Sequence, residues 1–346
     1  MKKWMDTRRI ATIALVCVYL VVIAGSVVRV TGSGMGCPDW PKCFGYVIPP
    51  INQETLTLGS EKHFLKGQMV ILNDTLWVAQ QEVVTKDNKD LDRTIWKKYP
   101  KHDYAIFNPV HTWIEYINRL LTGVLGLPVL LLLVISIVNA RKTSNWKVVF
   151  WAGLTLVFML YEAWLGKLVV DGELSNGKVT LHMLGSIGIV AALMMARVSS
   201  HNEIIPKESI DRKWWFIGIV LVIAQVILGT QLREEVDQVI KNGWERHQWI
   251  DQILMSSGKI IFYVHRTFSW LLVIYLFWMA NLLLKVKQNA VAVSLMGVVV
   301  AEVLVGVLLN YFDFPAFAQP LHLVLSFALL GLLLDGLFSK YSRVRQ

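Results

Sequence analysis

Eight apolar runs, each near the ~20 residues a helix needs to cross the hydrocarbon of a bilayer, constrain this chain more than any other feature. They cover residues 10–31, 113–138, 147–168, 179–197, 214–232, 260–284, 290–311 and 319–338. Charged residues make up only 17% of the chain, against ~25% in a soluble protein. The expected fold class is therefore an all-α membrane protein with eight transmembrane helices. Fourteen Trp and ten Tyr suit many membrane–water boundaries.

The first run follows Lys2, Lys3, Arg8 and Arg9, as a signal peptide would. It is longer than the ~7–15 residues of a cleaved apolar core and seven more spans follow, so it reads as a retained first helix. The net charge of +9 has a topological meaning. Segments 1–9, 139–147, 198–213, 285–289 and 339–346, with Arg197, hold 16 Lys and Arg; segments 169–178, 233–259 and 312–318 hold five. Lys and Arg concentrate on the cytoplasmic side, so both termini are expected there, in a bacterial cytoplasmic (inner) membrane. The basic balance reports topology and gives no sign of nucleic acid.

Cys17 lies inside the first span and reads as packing. Cys37 and Cys43 lie in the first outer loop, Cys37-Pro38-Asp39-Trp40-Pro41-Lys42-Cys43. An oxidising compartment favours a local disulfide there. A metal pair is the alternative, although no nearby His or second Cys pair completes a ligand set.

The chain also repeats itself. Glu162, Gly166 and His182 recur as Glu302, Gly306 and His322, all at an offset of 140. Asn118-Arg119 aligns with His265-Arg266 at 147, and Gly25 and Arg29 align with Gly229 and Arg233 at 204. Four spans separate the copies, so two four-helix bundles related by a pseudo-twofold axis along the membrane normal are expected. The halves are 1–200 and 201–346. The offsets differ because the first outer loop, 32–110, is 57 residues longer than its counterpart. It is polar and is expected to form a small ordered cap of short helices or strands.

Ionisable residues inside a span are costly and usually mark function. His182, His265 and His322 each sit within a turn or two of the outer end of a span. His265 on the sixth span and His322 on the eighth could face one another as bis-axial ligands of a haem iron, in a bundle interior of the kind that holds cofactors. The plain alternative is a hydrogen-bonded packing histidine. Zinc suits the positions less, because it needs about four ligands. Arg119 and Arg266 follow the two ligand positions and could pair with haem propionates. Arg29 and Arg233 lie at similar depth, where snorkelling to the interface is an equal explanation. In the first half the ligand position holds Asn118. His111, two turns earlier, either substitutes for it or begins the helix. Glu115 faces the same pocket, as a proton acceptor or stabiliser of positive charge, or as the partner of Arg119 or Arg29.

The stretch Gly32-Ser33-Gly34-Met35-Gly36-Cys37-Pro38-Asp39-Trp40-Pro41-Lys42-Cys43 after Arg29 resembles the outer-loop signature of haem A synthases. Glu115–Arg119, His182, His265-Arg266 and His322 follow in that family's order over nearly the whole chain. The resemblance implies oxidation of the C8 methyl of haem O to a formyl group, giving haem A for terminal oxidases. The resemblance further implies that the methyl is hydroxylated twice and that the resulting gem-diol loses water. It implies a haem b cofactor held by His265 and His322 with Arg266. It places substrate haem with His182, His111, Asn118, Arg119 and Arg29, makes Glu115 the catalytic candidate, and makes Cys37 and Cys43 a disulfide pair. Asn118 departs from the family motif, which usually has His there, so the first-half ligand is open between His111 and Asn118. The implied partners are haem O, haem O synthase, an electron acceptor such as a quinone or cytochrome, and the lipid bilayer; a homo-oligomer is allowed.

Two other readings compete. A membrane b-type cytochrome that only passes electrons between quinol and a partner should show matched bis-His pairs in both halves. A transporter should show paired helix breaks near the midplane, yet Pro128 is the only mid-span proline.

Overall fold

The computed structural model describes residues 6–86, 91–101, 106–170, 177–200, 210–243 and 248–339. Its long helices are α1 (Thr7–Val30), α2 (Pro109–Thr143), α3 (Lys147–Val170), α4 (Lys178–Ser199), α5 (Arg212–Lys241), α7 (Gly258–Lys285), α8 (Asn289–Tyr311) and α9 (Ala318–Phe338), with a short α6 (Trp249–Met255) between α5 and α7. The eight long ones are long and apolar enough to cross a membrane. Helices suit lipid because each backbone N–H and C=O finds its partner within the same segment. The chain is a multi-pass membrane protein.

The helices overrun the apolar runs at their polar ends. α2 starts at Pro109 behind Asn108, whose side chain accepts from the N–H groups of Val110 (3.0 Å) and His111 (3.2 Å). That is an N-cap, and it satisfies two of the donors a helix start leaves open. α5 begins at an equivalent cap, Asp211 accepting from Lys213 N at 3.0 Å. Its far end continues nine residues past the apolar run, to Lys241. Two causes are visible. Arg233 and Asp237 pair at 2.5 Å one turn apart, and Val236 and Val239 are buried against Trp249, Ile253, Phe262 and Phe314. The extension is thus an amphipathic helix with α6 packed on its apolar side.

The chain divides into two compact units. The first comprises Met1–Ile23, Val124–Glu162 and Asn176–Gln346. Within it α5 packs on α7, α7 on α8, α8 on α9, and α9 back on α5, which closes a four-helix ring; α4 packs on α9 and α5. Leu276, Met279, Leu283, Leu295, Phe327 and Leu333 are among its fully buried side chains. This unit also holds the Arg197–Asp335 ion pair of α4 and α9.

The second unit comprises Ala24–Gly123 and Ala163–Ser175. It contains the long loop, whose described residues form two 3-10 turns and five strands: β1 (His63–Phe64), β2 (Met69–Leu72), β3 (Thr75–Ala79), β4 (Val83–Val84) and β5 (Trp96–Lys98). β2, β3 and β5 make an antiparallel three-stranded sheet, and β1 pairs with β4. Asn73 and Asp74 both take positive φ between β2 and β3, as a two-residue hairpin turn requires. Phe44, Leu56, Met69 and Leu76 form one small core beside Cys37 and Cys43, and Phe64, Val70, Ala79 and Trp96 form a second.

Candidate functional site

The second unit ties its cysteine loop to the start of α2. Cys37 and Cys43 form a disulfide, which excludes the metal-pair reading. Glu115 is buried, 4% exposed. Its Oε2 accepts from Cys37 N at 2.8 Å, and its Oε1 pairs with the Arg119 guanidinium one turn later. Arg119 also donates to the carbonyls of Asp39 (2.8 Å) and Lys42 (2.9 Å). Thr112 Oγ1 donates to Gly36 O at 2.8 Å, and Tyr99 OH to Pro38 O at 2.7 Å. A side chain at Gly36 would run into the His111 backbone, so glycine is what lets the loop lie against α2. Of the two partners the sequence offered Glu115, this arrangement contains Arg119.

Asp39 accepts from Gly45 N at 2.9 Å. Burial pushes its carboxyl above the usual range, against the backbone donors of Gly45 and Phe44 and the charge of Arg119.

His111 lies in the first turn of α2, next to its Asn108 cap. Asn118 Oδ1 is buried with no hydrogen-bond partner among the described residues. It faces Gly25, where an added Cβ would lie 3.7 Å away. Arg29 sits in the last turn of α1.

The first unit repeats this relation with different chemistry. Gly229 of α5 faces His265 of α7 as Gly25 faces Asn118. A Cβ at Gly229 would come within 3.1 Å of His265 Cε1. His265 Nδ1 is buried and lacks a hydrogen-bond partner among the described residues. The ring is within electrostatic reach of His322 on α9. Gln225 Nε2 donates to the His265 carbonyl at 3.2 Å. His322 lies against Glu302 of α8, with Nδ1 3.4 Å from the carboxylate. Arg266 donates to Tyr311 OH at 2.8 Å at the end of α8.

Nδ1 of His182 on α4 lies against the Glu162 carboxylate of α3. The sequence singled out both glutamates as members of a repeat but gave them no contact. The signal was the common separation of 20 from Glu to His. Tyr311 and Gln225 went unread, because a Tyr at a span end and a Gln within a span carry no distinctive spacing.

The family described as cytochrome oxidase assembly protein (COX15-CtaA) matches residues 8–73 and 67–334. The chain belongs to this family. Among its relatives are proteins named heme A synthase. The one from Shewanella oneidensis is 24% identical over 223 residues, 63% of this chain and 54% of that protein. The one from Bartonella bacilliformis is 24% identical over 285 residues, 76% and 71% of the two chains. The one from Flavobacterium psychrophilum is 20% identical over 344 residues, 91% and 92%. The match thus spans about half the length of the Shewanella relative and nearly all of the Flavobacterium one.

Haem is the group this family implies, and the second-half residues fit it. Two imidazoles on different helices of a closed ring lie within electrostatic reach of each other, both with a buried Nδ1 that lacks a hydrogen-bond partner among the described residues, and a glycine leaves room beside the His265 ring. Among the described residues no group of three or more His, Cys, Asp or Glu could hold a bare metal ion.

Proposed function

We propose that this protein is a haem A synthase, oxidising the C8 methyl of haem O to a formyl group to give haem A for cytochrome oxidase. The observation that carries the reading is that His265 on α7 and His322 on α9 belong to one four-helix ring and lie within electrostatic reach of each other. Family membership and the names of the relatives support it. His265 and His322 would hold haem b, which when bound supplies a one-electron redox centre. Arg266, steadied by Tyr311, is suited to a propionate.

On the substrate side, His182 is the proposed ligand of haem O iron. Glu115 is the proposed catalytic carboxylate, held in place by Arg119 and the Cys37 N–H. His111, Asn118, Arg119 and Arg29 are proposed substrate-haem residues. Asn118 is a poor iron ligand, and weak holding suits a substrate and product that must leave. The halves 1–200 and 201–346 are accordingly proposed as the substrate half and the haem b half. Haem O synthase would supply the substrate, and a quinone or cytochrome would take electrons. The Lys and Arg distribution supports both termini on the cytoplasmic side of the inner membrane.

Haem extracted from membranes of a host that makes haem O, with and without this chain, tests the proposal. Haem A should appear chromatographically only with it. A folded, membrane-inserted protein that leaves haem O unconverted overturns the reading.

A further inference from the structure

Each half of the repeat sets a carboxylate behind its last histidine. On α3 and α4, Glu162 Oε2 pairs with His182 Nδ1. On α8 and α9, Glu302 Oε2 lies 3.4 Å from His322 Nδ1. In both pairs Nδ1 faces the carboxylate, which leaves Nε2 for another partner. A serine follows each histidine by four residues. Ser326 donates to Glu302 Oε1, and Ser186 donates to the His182 carbonyl at 3.0 Å. In the first half the approach depends on Gly185: a Cβ there would fall on Glu162 Oε1. The matching position of the second half is Leu325, and there the contact is the longer one. Nδ1 of His322 and Nδ1 of His265 both lack a hydrogen-bond partner among the described residues, and what sets His322 apart is the Glu302 carboxylate at ion-pair distance.

A carboxylate on the far nitrogen of a ligating imidazole fixes its tautomer and ring orientation and strengthens the other nitrogen as a donor. Negative charge at that place also favours the more oxidised iron. We propose that Glu302 and Glu162 are positioning residues, aiming Nε2 of His322 at the haem b iron and Nε2 of His182 at the substrate haem iron. Glu302 would in addition hold the haem b potential down, acting through His322 and not through His265. This inference rests on the haem reading above.

The test measures the visible spectrum and midpoint potential of the purified, haem-loaded protein. Glu302→Gln keeps the b-type spectrum and raises the potential by at least the equivalent of a tenfold change in the oxidised-to-reduced ratio, about 59 mV for one electron. Glu302→Asp returns part of that shift. Ser326→Ala, which frees the carboxylate from its donor, moves the potential the opposite way. Gly185→Ala, which displaces Glu162 and alters no ionisable group, weakens haem O binding in a titration by about 10-fold or more. Unaltered potentials in haem-loaded Glu302→Gln and Ser326→Ala overturn the inference alone, leaving haem binding intact. A wild-type chain with no b-type spectrum overturns the haem reading and this inference with it.

Discussion

The Arg119 guanidinium pairs with the Glu115 carboxylate one turn earlier on α2 and reaches past it to the carbonyls of Asp39 and Lys42. One buried ion pair thereby fastens the disulfide loop to a helix. Removing one partner of such a pair leaves the other uncompensated, at a cost of roughly 3–5 kcal/mol. Arg119→Ala should therefore lower the thermal stability of the second unit by about that much. Glu115→Gln should cost less, because its amide oxygen still accepts from Cys37 N. Melting of both variants in detergent decides; equal melting temperatures would mean that the pair does not hold the loop.

The Cys37–Cys43 disulfide closes a short loop, with a sequence separation of six. Its entropic contribution should be small, about 2 kcal/mol by the loop-length relation. Arg119, Thr112 and Tyr99 hold the same segment independently. A Cys37→Ser, Cys43→Ser double variant should thus remain folded and insert normally, with a modestly lower melting temperature. Collapse of expression would show that the hydrogen bonds cannot hold the segment alone.

The spans could be read from sequence because apolar length is a one-dimensional signal that needs no tertiary context. The end of α5 could not. Arg233, Glu234, Glu235 and Asp237 give it the composition of a loop, and it is helical because Val236 and Val239 bury themselves on Trp249, beyond the next turn, and on Phe314, far along the chain. The contact of Glu162 with His182 was hidden for the same reason. A separation of 20 marks two residues as recurring together, but only the packing of α3 on α4 brings carboxylate and imidazole within reach. Glu115 and Arg119 were recognisable as partners because they lie one turn apart on one helix. Their grip on Cys37, Asp39 and Lys42 required knowing how a distant loop folds back.

Asp39 yields a prediction about pH. Burial holds its carboxyl above the ordinary value in the folded loop, so the folded state binds its proton more tightly than the unfolded chain. Its effect on stability is then most favourable below the ordinary carboxylate value of about 4 and is lost as pH rises through the higher folded value. Asp39→Asn mimics the protonated group and can still accept from Gly45 N. It should flatten the pH dependence of melting just above pH 4 and be neutral or stabilising at pH 7. A variant with the same pH profile as the wild type would contradict this.

His265→Ala and His322→Ala should each abolish the stable b-type absorbance of the purified protein, because the proposed haem b site would lose one of the two residues that would hold it. His182→Ala should leave that absorbance in place, since its partner is Glu162 and it lies outside the α7–α9 pair. Full absorbance in both second-half variants would refute the ligand assignment.

Asn118 and His265 occupy the same place in the two copies, each opposite a glycine of the preceding span. On the proposed haem reading, the difference between them is the difference between a weak and a strong iron ligand. Asn118→His should give the first half a ligand matching that of the second. The buried Oδ1 of Asn118 has no hydrogen-bond partner among the described residues, so the exchange sacrifices no bond there. Haem retained per chain after purification should rise, and release of product should slow, because an axial imidazole binds iron far more firmly than an amide oxygen. Haem content by pyridine haemochrome and the rate of haem A release measure both effects. An unchanged haem content would show that position 118 does not reach the substrate iron, leaving His111 as the first-half candidate on α2.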